Sequence, residues 1–470
     1  MFRGSLLNEI IGPVMRGPSS SHTAAPHAIG RACRQLAMGD DRTITDAIVR
    51  FDPDGSFAAV YRAQGSDEGF AAGLLGLAPD DPGYADAVSA AAAIVGFRIE
   101  VTRLRRADHP NAVELQLCTV DRHGGVHQDL FEAVSTGGGS FIVMSLNGAE
   151  LGWSGDTALE VMIDGGLRRA SAARLPVVAP PPFELTARGL LGVDGSTRSL
   201  AEMGIAYESV VIGLPPSVVR GRFAERLGVM FQSVRAGLAA DPATTRMRFL
   251  RPSARLLREA DAPSALISPA QQLAAAASVA VMELDVARGI VVAAPTAGSA
   301  GILPGVLYAL SETGLDEGRL VDALSAMALV GGAFAWSGTF AAECGGCAVE
   351  TGAAAAMAAA GLVSAHGGSP SMAFDAASLV LVNTLGLVCD PVAGEVEIPC
   401  HARNIAGVAH AFAAASAVLG GFSAVLPFDE MAEMTVRVGT GLSADLRCTA
   451  RGGCAGTPTA VALSQRRPNG

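Results

Sequence analysis

The stretch SAARLPVVAPPPF at residues 171–183, with proline at 176, 180, 181 and 182, constrains the fold of this chain more than any other feature. Prolines so closely spaced favour an extended, semi-rigid course that neither a helix interior nor a central strand tolerates. The hydrophobic pattern changes across it. Upstream, residues 45–51, 96–103 and 113–120 read as strands, interleaved with helical patterns at 24–38 and 84–94. Downstream the pattern is almost wholly helical with glycine-rich breaks, at 199–203, 216–238, 269–287, 323–334, 352–360, 402–418 and 428–438. The chain is therefore predicted to form an α+β N-terminal domain at residues 1–165, a Pro/Ala-rich linker at 166–183 and a mainly α-helical C-terminal domain at 184–470. No internal repeat stands out.

Half of the residues are apolar, only 5% are aromatic and 56 are glycine, so the helices are expected to pack through small side chains. The charge-free stretches 323–342 and 405–428 reach the ~20 residues that can span a bilayer. They are rich in Ala, Gly and Ser and hold glycine pairs (Gly331-Gly332, Gly420-Gly421), which favours buried central helices over membrane spans. The N-terminus shows no sustained apolar export segment, so a cytoplasmic protein is expected. A net charge of −11 without a basic block argues against nucleic-acid and anionic-membrane partners, since 103–106 and 466–467 are short arginine-bearing runs. All 34 basic residues are arginine. Chemistry that needs a side-chain amine is closed, pyridoxal phosphate above all.

Six of the eight cysteines, Cys344, Cys347, Cys389, Cys400, Cys448 and Cys454, lie in the C-terminal half. The contexts GGCAVE (345–350), CDPVAG (389–394) and IPC (398–400) join soft sulfur to Gly and Pro, as a zinc or iron–sulfur centre requires. Buried structural thiols fit the spacing equally well. A second group, GPSSSHT at 17–23, precedes a helical pattern. Its hydroxyls and free amides suit either an anion such as a carboxylate or an ordinary helix cap. HPN at 109–111 and STGGG at 135–139 add polar groups on turns.

Together these motifs resemble the iron–sulfur-dependent L-serine dehydratases over nearly the whole chain. GPSSSHT, HPN, STGGG and SLNG (145–148) are similar to the family's β-type part. AAPTAGSAGILPGVL (293–307), GGC, MAAAGL (357–362), LGLVCDPVAG (385–394), IPC, RN (403–404), PFDE (427–430) and GTPT (456–459) are similar to its α-type part. The resemblance implies a fused form without an ACT domain, because only about 18 residues separate Gly165 from Phe183. Ala348 stands where the family usually has glutamine, Cys344 is an additional thiol, and residues 24–27 and 248–257 lack the family's glycine-containing sequences.

The resemblance also implies a site. Cys347, Cys389 and Cys400 match the three ligands of a [4Fe-4S] cluster whose open iron acts as Lewis acid on the β-hydroxyl of L-serine, giving pyruvate and ammonia. His22, Ser19, Ser20 and Ser21 are the expected catalytic group, His22 as base or orienter and the serines holding the substrate carboxylate. Thr23, Asn111, Ser135, Gly137, Gly138, Gly139, Thr296, Gly298, Ser299 and Asn404 are expected to line the substrate site, and Asn383 or Arg403 to bind carboxylate or end a helix. Cys454 is read as a packing residue, and tail inhibition by a terminal cysteine is not expected in a sequence ending RPNG. A homodimer acting on a small amino acid is the expected assembly. The alternatives are elimination from threonine, cysteine or a modified serine, and a non-catalytic metal protein closed by the four thiols Cys344, Cys347, Cys389 and Cys400.

Overall fold

A computed structural model describes residues 4–39, 41–192, 198–245, 247–260 and 267–465. The arginine pair at 466–467 and the RPNG end lie outside the described residues. Two compact units emerge: Pro18–Pro176, and Met1–Gly17 together with Val177–Gly470. The structure thus differs from a simple division along the chain, because the first 17 residues belong with the helical part. The reason is local pairing. Strand β1 (Val14–Arg16) is antiparallel to a short strand at Ile290–Val292, with Val14 opposite Val292.

The unit Pro18–Pro176 carries most of the strands. These are β2 (Arg42–Phe51), β3 (Arg98–Val101), β4 (Ala112–Asp121), β5 (Val126–Gly137), β6 (Ser140–Leu146) and β7 (Ala149–Trp153), with the hairpin β8 (Leu159–Ile163) and β9 (Gly166–Ala170) apart. The six-stranded sheet has the order β3-β2-β4-β5-β6-β7, with β2 and β3 parallel and the other pairs antiparallel. Alternation explains β4: Val113, Leu115 and Leu117 point into the core. They meet Ile29, Cys33 and Leu36 of the helix Ala25–Met38, whose apolar residues recur at helical spacing, along with Phe51, Phe57, Phe70 and Phe131. Residues 166–170, expected as linker, form β9. The Asp164-Gly165 turn has positive φ at both residues (52° and 75°), the geometry a two-residue hairpin needs.

In the other unit the predicted helices appear, several longer than the pattern suggested: Leu200–Ile212, Pro216–Ala239, Pro269–Val286, Glu317–Trp336, Ala353–Ala365, Cys400–Leu419 and Phe428–Thr440. Ser199 and Glu202 close a reciprocal cap at the first. The Ala353–Ala365 helix is buried almost all round and packs against Ile302–Glu312, Glu317–Trp336, Pro370–Thr384 and Cys400–Leu419. Its small side chains permit this. A methyl group at Gly361 would collide with Met327. Glu317–Trp336 and Ala348–Ala365 are long and apolar enough to cross a membrane, yet 83% and 89% of their apolar windows are buried inside the chain.

The N-terminal segment is tied down by one carboxylate. Glu208 accepts hydrogen bonds from Ser5 Oγ (2.6 Å), Leu6 N (2.7 Å) and Leu7 N (3.1 Å) at the start of the short helix Leu6–Glu9. Burial outweighs these donors and lifts its pKa from 4.5 to about 7. The folded state therefore binds this proton more tightly than the unfolded chain, and its contribution to stability is full below about 4.5 and lost as pH rises through about 7. Thermal melts are expected to show wild type losing stability from pH 5 to pH 8 more steeply than Glu208→Gln. Parallel profiles would contradict this role.

Candidate active site

Within the Pro18–Pro176 unit the three hydroxyl- and glycine-bearing motifs converge. Residues Ser20–Ala24 form a wide π-type turn, with the amide of Ala24 donating to Ser19 O at 3.1 Å. Ser19 Oγ is used as a cap, accepting from His22 N at 3.0 Å, and Thr23 Oγ1 donates to Gln64 O. The ring of His22 is completely buried, edge-on to Phe57, with Ser21 Oγ 2.8 Å from Nδ1 and Ser56 Oγ 3.0 Å from Nε2. Ser56 N in turn donates to Pro110 O, and Ser135 N to Asn111 O. Ser135 Oγ is buried without a hydrogen-bond partner among the described residues. Gly137, Gly138 and Gly139 make the β5–β6 turn with φ of 95°, 60° and 84°, a conformation side chains avoid.

Desolvation lowers the His22 pKa from 6.5 to about 3. The imidazole is thus neutral at physiological pH and fixed by two hydroxyls, an arrangement that suits orienting Ser21 better than taking a proton. Proton NMR of the His22 Cε1 resonance is expected to show no titration between pH 5 and pH 8. A midpoint near 6.5 would contradict the burial argument.

The helical unit gathers a second set of groups. Cys347 heads a π-type turn, Ala348–Gly352, in which Gly352 N donates to Cys347 O. That turn presents Glu350. One of its oxygens accepts from Thr296 Oγ1 at 2.6 Å and the other faces Cys347 Sγ at 3.6 Å. Thr296 and Ser299 share a hydrogen bond of 2.9 Å. Gly298 is required by proximity, since a Cβ there would stand 2.8 Å from Glu350 Oε1. Asn404 fixes this loop: Nδ2 donates to Gly298 O (2.8 Å) and Cys400 O (2.9 Å), and Oδ1 accepts from Gly301 N.

Cys347, Cys389 and Cys448 pack together with Ala342 in one buried group. Cys389 and Cys448 are brought together by the chain itself, with Cys448 N donating to Cys389 O at 2.8 Å and Cys448 held at a φ of 58°. Hydrogen bonding to Cys347 and Cys448, then burial, holds the Cys389 thiol well above its ordinary pKa. Cys400, at the start of its helix, packs against Met282, Val286 and Val396, and burial and the charges of Cys347 and Glu350 raise it as well. Arg403 is the cation of the group. Its Nη1 donates to Cys347 Sγ (3.1 Å) and Val388 O (2.7 Å), and its Nη2 to Asp390 Oδ1 (2.7 Å). Asp390 also accepts from Cys454 N at 2.6 Å.

Glu350, Asp390 and Cys448 were not singled out as site residues from the sequence. Glu350 could have been suspected from its place three residues after Cys347; Cys448 carries no local signal, because a left-handed turn and a long-range pairing put it there. Cys344 and Cys454 stay outside the packed thiol group. Asn383 bonds back to Leu379 O on an exposed helix face. Among the described residues no three His, Cys, Asp or Glu side chains are disposed to hold a metal ion. The donor chemistry nonetheless fits a soft, sulfur-bound centre: Cys347, Cys389 and Cys448 are buried together, burial and neighbouring sulfur disfavour the ionised forms of Cys389 and Cys400, and Arg403 lies against Cys347 Sγ as counter-charge.

Residues 160–455 match the family described as serine dehydratase alpha chain. The matched stretch takes in Cys347, Cys389, Cys400, Cys448 and Glu350 of the helical unit. An L-serine dehydratase of Streptomyces coelicolor is 30% identical over 473 aligned positions, covering 93% of this chain and 96% of the relative. One from Mycobacterium bovis is 29% identical over 86% of this chain and 87% of its own length. A probable L-serine dehydratase alpha chain of Bacillus subtilis is 40% identical over 191 residues, 40% of this chain and 63% of that relative, so just under two thirds of its length is spanned. The chain belongs to the L-serine dehydratase family.

Proposed function

We propose that the chain eliminates water from L-serine to give aminoacrylate, which tautomerises and hydrolyses to pyruvate and ammonia. The observation that carries this reading is the buried group of Cys347 and Cys389, with Cys400 in electrostatic range, beside the Thr296–Glu350 pair. Cys347, Cys389 and Cys400 would hold a [4Fe-4S] cluster, which supplies a Lewis acid for the leaving hydroxyl. Arg403 steadies the first thiolate and Asp390 steadies Arg403. Glu350, whose one oxygen accepts from Thr296 Oγ1, takes the Cα proton in this reading. Thr296, Ser299 and Asn404 hold the loop that positions it. In the sheet-bearing unit, His22 orients Ser21. An imine route is closed by the all-arginine basic content.

Anaerobic assay of the iron-reconstituted protein against serine, threonine and cysteine tests the reaction, with pyruvate from serine as the expected product. Glu350→Gln is expected to lower kcat by about 10²–10⁴-fold with iron content unchanged. An unaltered kcat would remove Glu350 from proton transfer.

The packing of Cys448 against Cys347 and Cys389 favours one other reading, a closed four-thiolate centre without catalysis, in which Cys448 and not Cys344 is the fourth ligand. Cys448→Ser decides between them. Retention of both the cluster's absorption spectrum and pyruvate formation is expected; a loss of iron on this change supports the closed centre.

A further inference from the structure

The helical unit buries several carboxylates, and the chain supplies donors to nearly all of them. Glu208 takes three donors at the N-terminal segment. Glu283 accepts from Ser253 N and Ala254 N, capping the helix Ala254–Glu259. Glu397 accepts from the amides of Arg248, Phe249 and Leu250, and Asp390 from Arg403 and Cys454. Asp285 is different. It has no exposed surface, and neither of its carboxylate oxygens has a hydrogen-bond partner among the described residues. An ionised carboxyl group so placed is strongly disfavoured unless it meets a cation.

Its surroundings point to the reacting centre. Asp285 lies on the last turn of Pro269–Val286, just before the strand that pairs with β1, and its side chain faces Gly17, where a Cβ would collide with Oδ1. It is also in electrostatic range of Glu350, the group bonded to Thr296 and facing Cys347. Arg288, the cation in range, offsets the burial only partly, so the carboxyl stays well above its ordinary pKa in the absence of a further cation. A small amino acid brings one: its α-ammonium group carries a full positive charge and up to three donors.

We propose that Asp285 recognises the α-ammonium group of the amino-acid substrate. This rests on the reading that the chain dehydrates L-serine. It accounts for two facts together, an unpartnered acid in the protein interior and a glycine at position 17 that lets the main chain lie against it. Asp285 then selects amino acids over hydroxy acids of the same size, because a β-hydroxy acid without an ammonium group leaves the carboxyl group of Asp285 unmatched.

The test compares L-serine with 3-hydroxypropanoate, which keeps the carboxylate and hydroxyl but lacks the amine, on the anaerobic iron-loaded protein. Pyruvate formation by wild type first establishes the reaction; a fully loaded protein that neither turns over nor binds serine overturns that reading and this one with it. Where wild type is active, Asp285→Asn is expected to raise the KM and calorimetric Kd for serine about ten- to a hundredfold. The Kd for 3-hydroxypropanoate should change less than about twofold, and Asp285→Glu should recover part of the serine affinity. Equal weakening of both ligands, or no change in either, would overturn the assignment while leaving the dehydratase reading intact. Should Asp285→Asn fail to fold, wild type alone still decides: serine must bind about tenfold or more tightly than 3-hydroxypropanoate, and equal affinities reject the proposal.

Discussion

Thiols buried side by side cannot all carry charge unless something positive is buried with them, and in this chain that compensation begins at Arg403. Burial pulls its pKa down, but the charges of Cys347, Asp390 and Cys400 outweigh that and raise it, so the guanidinium stays charged inside the unit. Its three hydrogen bonds reach a thiol in one segment and a main-chain carbonyl and a carboxylate in another. Those contacts hold the 388–390 segment and the Cys347 turn against the start of the Cys400–Leu419 helix. Asp390 passes the constraint on to Cys454 N. A lysine could not make this forked contact, and the chain contains none.

Close packing makes such a centre possible. The Ala353–Ala365 helix follows directly from the turn that bears Cys347 and Glu350, and its small residues let four other helices approach it on all sides. The scaffold beneath the thiols is therefore rigid, and the π-type turn above it re-aims Glu350 toward Thr296 instead of continuing the helix. A second π-type turn carries Ser20 to Ala24. Each of these wider turns breaks regular hydrogen bonding at a stretch that carries chemistry-bearing side chains of its own unit.

Much of the architecture was legible in the sequence. The helix Ala25–Met38 declares itself by apolar residues at 29, 32, 33 and 36, and the shift to helical periodicity beyond the proline-rich stretch locates the helical unit. What could not be read was anything decided by long-range pairing. Val14–Arg16 falls by position in the predicted N-terminal domain until Ile290–Val292 is found opposite it, and Cys448 looks like a stray thiol until its amide meets Cys389 O. The motifs drew attention to Cys347, Thr296 and Asn404, which the fold brings into one neighbourhood, and between the two roles that the sequence leaves open for His22, base or orienter, the buried, doubly hydrogen-bonded ring favours the second. Burial, which no spacing reveals, makes that difference. The same holds for Asp285, whose lack of partners appears only once the surrounding helices are in place.

The account stands on the claim that the buried cysteines are ligands and not packing. Iron and acid-labile sulfide measured on the anaerobically reconstituted chain, beside Cys389→Ser, test that most directly. About four irons and four sulfides per chain, lost in the variant, are predicted. A wild-type protein that takes up zinc or no metal, and a Cys389→Ser variant with the same content, would contradict it.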